Sequence, residues 1–391
     1  LSGVVDVETE GRPARASHRV GVNLVQAGGT VRRALGERTG AWATLSGTDT
    51  RLITRMTGES ELYARSPQSV QGIGGVSFEP LPGVELRTTA LTLGDRYVRS
   101  VELNGHAGEF ASASTMQHAA LSARVLRPDG RRGVSASLSA SRRSASMRFG
   151  VLDRERVDLA LGGRVDGDVV VGVATRVRSG FELLRYDAET TGRVPTTPSL
   201  APGAPTAALP ASGESAWHTG GYIEAEHAPL PALAIAAGVR VDALPGDDGV
   251  TADPRLAVAY SSGDWTVRAG GGVFHQGSWR PRYRLPDASR PAGTPRRAEH
   301  LVAGVERAGT LSLRAEAYVK RYGDYAEDGT GPHTVRGTNT GVDAIARWSP
   351  RSGPSGWASW SALRGRAELA SGDVVPSTFD VTHSATVVAR M

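Results

Sequence analysis

This chain of 391 residues has nine histidines, one lysine and no cysteine, which narrows the chemistry open to it. Lacking cysteine, it cannot offer a thiol nucleophile, a cysteine-ligated metal or a disulfide scaffold. The lysine, Lys320, follows Val319 rather than a glycine, so no phosphate-cradling P-loop exists. Neither HExxH, nor GxSxG, nor a GxGxxG after a strand can be found. Gly270-Gly271-Gly272 is the nearest glycine-rich run, and it reads as strand with small residues where neighbours approach closely. His275 and His383 could face a bound metal chelate, or could be ordinary polar wall residues. Ser384 beside His383 suggests half of a hydrolase pair, but adjacent strand residues point to opposite faces and cannot pair directly. The sequence therefore predicts no catalytic residue, no metal ligand and no cofactor. Six charged residues remain: Arg164, Arg240, Asp242, Arg314, Glu316 and Lys320. Set at alternate positions, they could form a polar wall that guides a solute of undefined identity.

Strands must carry that wall. Leu311, Leu313, Ala315, Ala317 and Val319 alternate without a slip against Ser312, Arg314, Glu316, Tyr318 and Lys320. Such a segment is extended, with one apolar and one charged face. Just upstream, Leu301, Ala303 and Val305 alternate against His300, Val302, Gly304 and Glu306, and Arg307–Thr310 is short enough for a hairpin. Leu233, Ile235, Ala237, Val239 and Val241 oppose Ala236, Gly238, Arg240 and Asp242. Val157, Leu159, Leu161 and Val165 oppose Asp158, Gly162, Arg164 and Asp166. Further strands are expected at His18–Gln26, Val70–Glu79, Gly83–Thr92, Tyr97–Asn104, Met116–Leu126 and Gly133–Ser141, with a less regular β-rich stretch at Ala41–Arg55. No helical period separates them, so the chain reads as all-β. Strands of about 9–11 residues with an apolar outer and a polar inner face are what a transmembrane antiparallel β-barrel requires.

Composition agrees. Hydrophobic residues make up 39% of the chain, and its apolar runs fall well short of the roughly 20 residues a membrane helix needs. In lipid, only a closed barrel would then satisfy every backbone group. The formal charge of +5 comes from scattered arginines rather than a basic patch with interleaved aromatics, so no nucleic-acid partner is expected. Arg131-Arg132 and Arg142-Arg143 read as solvated charges beside turns. Tyr222, Tyr260, Trp265, Tyr318, Trp348, Trp357 and Trp360 read as strand-end aromatics of an interfacial girdle.

Loop lengths point the same way. Brief turns at Ala228–Pro231, Ser261–Asp264, Arg307–Thr310 and Pro350–Ser355 alternate with long connections at Leu244–Ala252, Gly277–Thr294, Gly323–Gly337 and Glu368–Ser377. A barrel of the outer membrane is built with tight turns on one side and extended loops on the other. The Pro/Ala/Gly-rich segment 194–213 reads as one more long loop within a single barrel domain covering 11–391.

With the strands placed, the second half resembles the TonB-dependent receptors of the bacterial outer membrane. The residues that carry this are DPRLAVAY (Asp253–Tyr260), VRAGGGVFHQ (Val267–Gln276), AEHLVAGVE (Ala298–Glu306), LRAEAYVKRYGDY (Leu313–Tyr325), SGWASWSAL (Ser355–Leu363) and FDVTH (Phe379–His383). The opening LSGVVDVET looks like the end of that family's plug domain, so residues 1–10 are expected to be a plug remnant or lead-in strand. The resemblance implies a barrel of about 22 strands holding a plug. It also implies import of a scarce solute (a metal chelate, cobalamin or a glycan), with outer-membrane lipid and the TonB complex as partners, and no enzymatic activity. Roughly 16–19 strands are countable, so the chain is expected to be the barrel portion of a longer protein. A passive, porin-like pore or a non-functional receptor fragment, and a soluble all-β binding domain, stay open as alternatives.

Overall fold

The computed structural model describes residues 12–13, 15–103, 105–127, 129–197, 199–201, 203–209, 212–243, 249–276, 296–323, 334–369, 371–377 and 380–390. Twenty strands form among them, all in one antiparallel sheet. The first run comprises β1 (Ser17–Val22), β2 (Gln26–Ala34) and β3 (Thr39–Asp49), then a short helix α1 (Arg51–Met56). Long strands follow: β4 (Tyr63–Leu81), β5 (Val84–Leu103), β6 (His106–Leu126), β7 (Arg132–Phe149), β8 (Leu152–Val171) and β9 (Thr175–Pro195). Next come β10 (Thr206–Ala208), β11 (Ser212–Leu230), β12 (Leu233–Ala243), β13 (Val250–Ser262), β14 (Trp265–Gln276) and β15 (Arg296–Arg307). The chain continues through β16 (Leu311–Gly323), β17 (Thr334–Trp348), β18 (Ser355–Leu369), β19 (Val374–Pro376) and β20 (His383–Arg390).

Two compact units divide these strands, one built on residues 3–166 and 182–217, the other on 167–181 and 218–391. In the first, β1 through β7 pair each with the next, and β10 adds to β9 through Thr206↔Pro195. In the second, β11 through β18 do the same, and β18 also pairs with β19 and β20. Pairing only sequence neighbours is the up-and-down meander.

Residues directly opposite in an antiparallel pair share a face, so the register sorts the side chains. In the second unit Leu301, Val319 and Thr340 lie in one row, as do Ala303, Ala317 and Val342. Leu311 faces Trp348, and Ala344 faces Trp360. This face is apolar and uncovered: Leu301 is 62% exposed and Val387 78%. An apolar face of that extent left open to water would be an aggregation surface; against lipid it is the required one. The first unit repeats the pattern, with Leu121 facing Leu138 and Val125 facing Val134.

The two ends of the strands differ. At one end the connections are 35–38, 82–83, 127–131, 172–174, 231–232, 263–264, 308–310 and 349–354, none longer than six residues. Glycine makes the tightest of these possible: Gly263, in the two-residue turn before β14, has φ 57, which L-residues rarely adopt. At the other end they are 23–25, 50–62, 104–105, 150–151, 196–211, 244–249, 277–295, 324–333 and 370–382, so every connection longer than six residues lies there, beside three of only two or three residues.

Several sequence expectations change. The strand expected at His18–Gln26 ends at Val22, because the Asn23 side chain accepts the N–H groups of Val25 and Gln26 at 3.0 and 2.9 Å and turns the chain. Ala41–Arg55 ends in helix α1, where Asp49 accepts the Arg51 N–H at 3.0 Å. Gly83–Thr92 and Tyr97–Asn104 are one strand. Gly94-Asp95 looks like a break, yet pairs in register with Thr115 and Ser114. Arg142 and Arg143 lie inside β7, opposite Gln117 and Met116, not beside a turn. Strands of 18–21 residues, at about 3.3 Å each, run near twice the roughly 30 Å of a hydrocarbon core. On β7 the apolar row Val134, Ala136, Leu138, Ala140 ends at Arg142, where the strand would leave lipid. Segment 194–213 is not all loop, since β9 runs to Pro195 and β10 forms within it. Residues 1–10 lie outside the described residues.

The aromatics sort by end. Tyr260, Trp265, Trp348, Trp357 and Trp360 collect at the short-turn end of β13, β14, β17 and β18, but Tyr222 and Tyr318 sit mid-strand. Tyr318 instead fills the space left by Gly341, its register partner, whose missing side chain would collide with the Tyr318 ring and hydroxyl. Gly341→Val is expected to cost about 1–3 kcal/mol by displacing that ring. Guanidinium midpoints of the refolded protein check this, and adding Tyr318→Ala should recover only part of the loss, since a side chain at 341 would also meet the Ala362 carbonyl at 2.8 Å.

Candidate functional site

The charged face of the second unit follows from the same alternation. Every second residue of β12 to β17 that does not meet the apolar face meets this one, and many carry charge. Arg240 donates from Nε and Nη2 to both Asp242 oxygens at 2.7 Å, while His218 Nε2 lies 2.8 Å from Asp242 Oδ1. Asp242 is only 5% exposed, so these partners offset the cost of burying its charge. Arg240 stands opposite Asp253, which is 2.5 Å from His275 Nδ1.

Toward the short turns, Glu224 accepts from Arg255 at 3.1 Å, with Arg178 3.7 Å away. One strand further, Arg268 is held by Glu306 and lies 3.9 Å from Glu316, which Arg314 also reaches at 2.6 Å. Lys320 lies over the Tyr318 ring at 5.1 Å. In the first unit Arg164 bonds Asp166 at 2.7 Å and stands 3.8 Å from Glu182.

The six charged residues singled out in the sequence thus share the face opposite the exposed apolar residues of their own strands. Those of the second unit do not converge: Arg314 and Glu316 form one group, Arg240 and Asp242 another, and Lys320 joins neither, while Arg164 belongs to the first unit. The sequence reading placed Glu306 on the polar side of its strand but missed Arg178, His218, Glu224, Asp253, Arg255 and Arg268, which with it supply the partners. Strand parity could have found them, since Arg255 opposes Leu256 as Arg314 opposes Leu313. His275 is occupied by Asp253. His383 is placed differently from the expectation, on the apolar face, where it stacks on Trp360 at 6.1 Å between ring centroids. Gly270–Gly272 lie within β14, with the Pro254 and Leu256 carbonyls and the Arg255 and Ala257 side chains close against them; they form no phosphate loop.

A meander with one apolar and one charged face, and with all its long loops gathered at one end, is the architecture of outer-membrane receptor barrels. Solved structures agree. The ferric yersiniabactin uptake receptor FyuA from Yersinia pestis superposes with a TM-score of 0.72 at 14% identity, over 93% of this chain and 63% of that one. The FrpB iron transporter from Neisseria meningitidis gives 0.70 at 12% identity, over 88% and 60%. The alcaligin outer-membrane receptor FauA from Bordetella pertussis gives 0.62 at 14%, over 92% and 62%. The fold is therefore that of the barrel part of TonB-dependent outer-membrane receptors. The chain spans about three-fifths of the length of these receptors. No protein-family model matches the sequence, and no curated protein does.

Proposed function

We propose that this chain is the barrel of a bacterial outer-membrane importer of the TonB-dependent kind. The observation that carries the reading is the coincidence of two asymmetries. One separates apolar from charged side chains across the sheet, and the other gathers every connection longer than six residues at one end of the strands. Lipid on one side, a watery lumen on the other and two chemically different compartments at the ends account for both. Arg240, Asp242, Arg314, Glu316, Lys320 and Arg164 would then line the lumen, and the long connections would meet the solute first.

The structurally similar proteins include receptors or transporters for ferric yersiniabactin, ferric citrate and copper. They support a scarce, metal-containing solute as the cargo class, with cobalamin or a glycan as the other family precedents. Energy coupling would require a plug and a TonB-binding segment elsewhere in the full protein. The chain would act by transport, not catalysis. After refolding into detergent, the protein should migrate faster on a gel when unheated than when boiled, as intact barrels do. Identical migration in both lanes would count against the barrel.

A further inference from the structure

Besides its short-turn aromatics, the apolar face of β16 to β18 has a second border. Following register from β16, Arg321 stands opposite Thr338, which stands opposite Arg366. One row toward the apolar zone, Val319, Thr340 and Arg364 line up. One row away, Gly323, Arg336 and Glu368 do. Arg321, Arg336, Arg364 and Arg366 therefore share the lipid-side face on three neighbouring strands: Arg321 and Arg366 each have Arg336 as a diagonal neighbour at roughly 7–8 Å, Arg364 follows two residues from Arg366 on the same strand, and Arg321 lies two strands, roughly 10 Å, from Arg366. All four are exposed. None makes an ion pair or side-chain hydrogen bond among the described residues, unlike the arginines of the charged face. Two carboxylates share their surroundings: Glu299, bonded to Arg297 at 2.7 Å, and Glu368, opposite Arg336.

Their height is informative. From Leu311, opposite Trp348 in the aromatic border, to Arg321 is ten residues of β16. At about 3.3 Å per residue and a tilt near 40°, the two borders stand roughly 25 Å apart, one apolar band of an outer-membrane barrel. The arginines thus sit where the headgroups of the long-loop leaflet begin. Four guanidiniums without partners among the described residues at that level match phosphate, which they bind bidentately.

We infer that this arginine belt is a binding site for phosphate-bearing lipid headgroups of the leaflet on the long-loop side. The inference rests on the barrel reading. It adds that β16–β18 hold specific lipid, as an annular site outside the lumen.

The test is native mass spectrometry of the refolded full chain in detergent, titrated with lipid A (two phosphates) or with an uncharged glycolipid of similar acyl content. Wild type should retain lipid A and not the uncharged lipid. The variant R321Q/R336Q/R364Q/R366Q should bind lipid A roughly tenfold or more weakly, since each basic residue near a headgroup contributes to such binding. A control removing four short-turn arginines (R127Q/R131Q/R132Q/R351Q) should leave affinity within about twofold. Equal loss in both variants, no loss in either, or equal retention of the uncharged lipid by wild type overturns the site. Heat-modifiable migration is scored on every sample. If it is missing from wild type, the barrel reading fails; if it is present and lipid A binding is indifferent to the belt, only the site fails.

Discussion

Ala317→Arg is expected to cost about 2–4 kcal/mol of folding free energy in a lipid bilayer, because it sets a charge near the midplane of the lipid face. Ala317 lies midway between the Trp348 row and the Arg321 row, in line with Ala303 and Val342. The same change at a water-exposed strand position should cost under about 0.5 kcal/mol, so the magnitude separates lipid from water as the surroundings. Guanidinium unfolding of the protein folded into vesicles gives the value. Ala317→Leu serves as the companion and should be neutral or stabilising.

The second large effect is expected at Asp242. Removing its carboxylate leaves Arg240 and His218 facing each other in a poorly hydrated spot, with the bonds at 2.7 and 2.8 Å gone. Breaking a buried pair from one side costs about 3–5 kcal/mol. Arg240 keeps about a quarter of its side chain exposed, so the lower end of that range applies. Replacing both charges, Asp242→Leu with Arg240→Met, should recover most of the loss, since a buried ion pair and an apolar pair of similar volume are often close in stability. If Asp242→Ala unfolds at the wild-type midpoint, the group carries no structural load.

Much of this fold was legible because strand periodicity is strict. The alternation from Leu311 to Lys320 fixes both faces of β16, and the register copies those faces onto β15 and β17. Punctuation was less readable. Gly94-Asp95 has the composition of a turn, yet its backbone is held on both sides by ladders, and Ser114 Oγ donates to Asp95 at 2.5 Å. Asn23 looked like a strand residue because its turn-making bond goes to its own backbone neighbours, which alternation does not record. The arginine pair at 142 and 143 misled for a different reason. In a strand longer than the membrane is thick, charges belong within the strand. As for the charged wall, its members could be named one by one, but not grouped. Which arginine meets which carboxylate depends on registers such as Gly304↔Glu316, and these follow from the pairing of whole strands.

Because the chain has no cysteine, the central claim can be tested one side chain at a time. Single cysteines would be placed at positions 312 to 319 of β16, each protein refolded into vesicles and exposed to a membrane-impermeant maleimide. The barrel predicts a period of two: labelling at 312, 314, 316 and 318, where a watery lumen is reached, and protection at 313, 315, 317 and 319, where lipid covers the thiol. Equal labelling at all eight positions, or labelling confined to the odd ones, would contradict it.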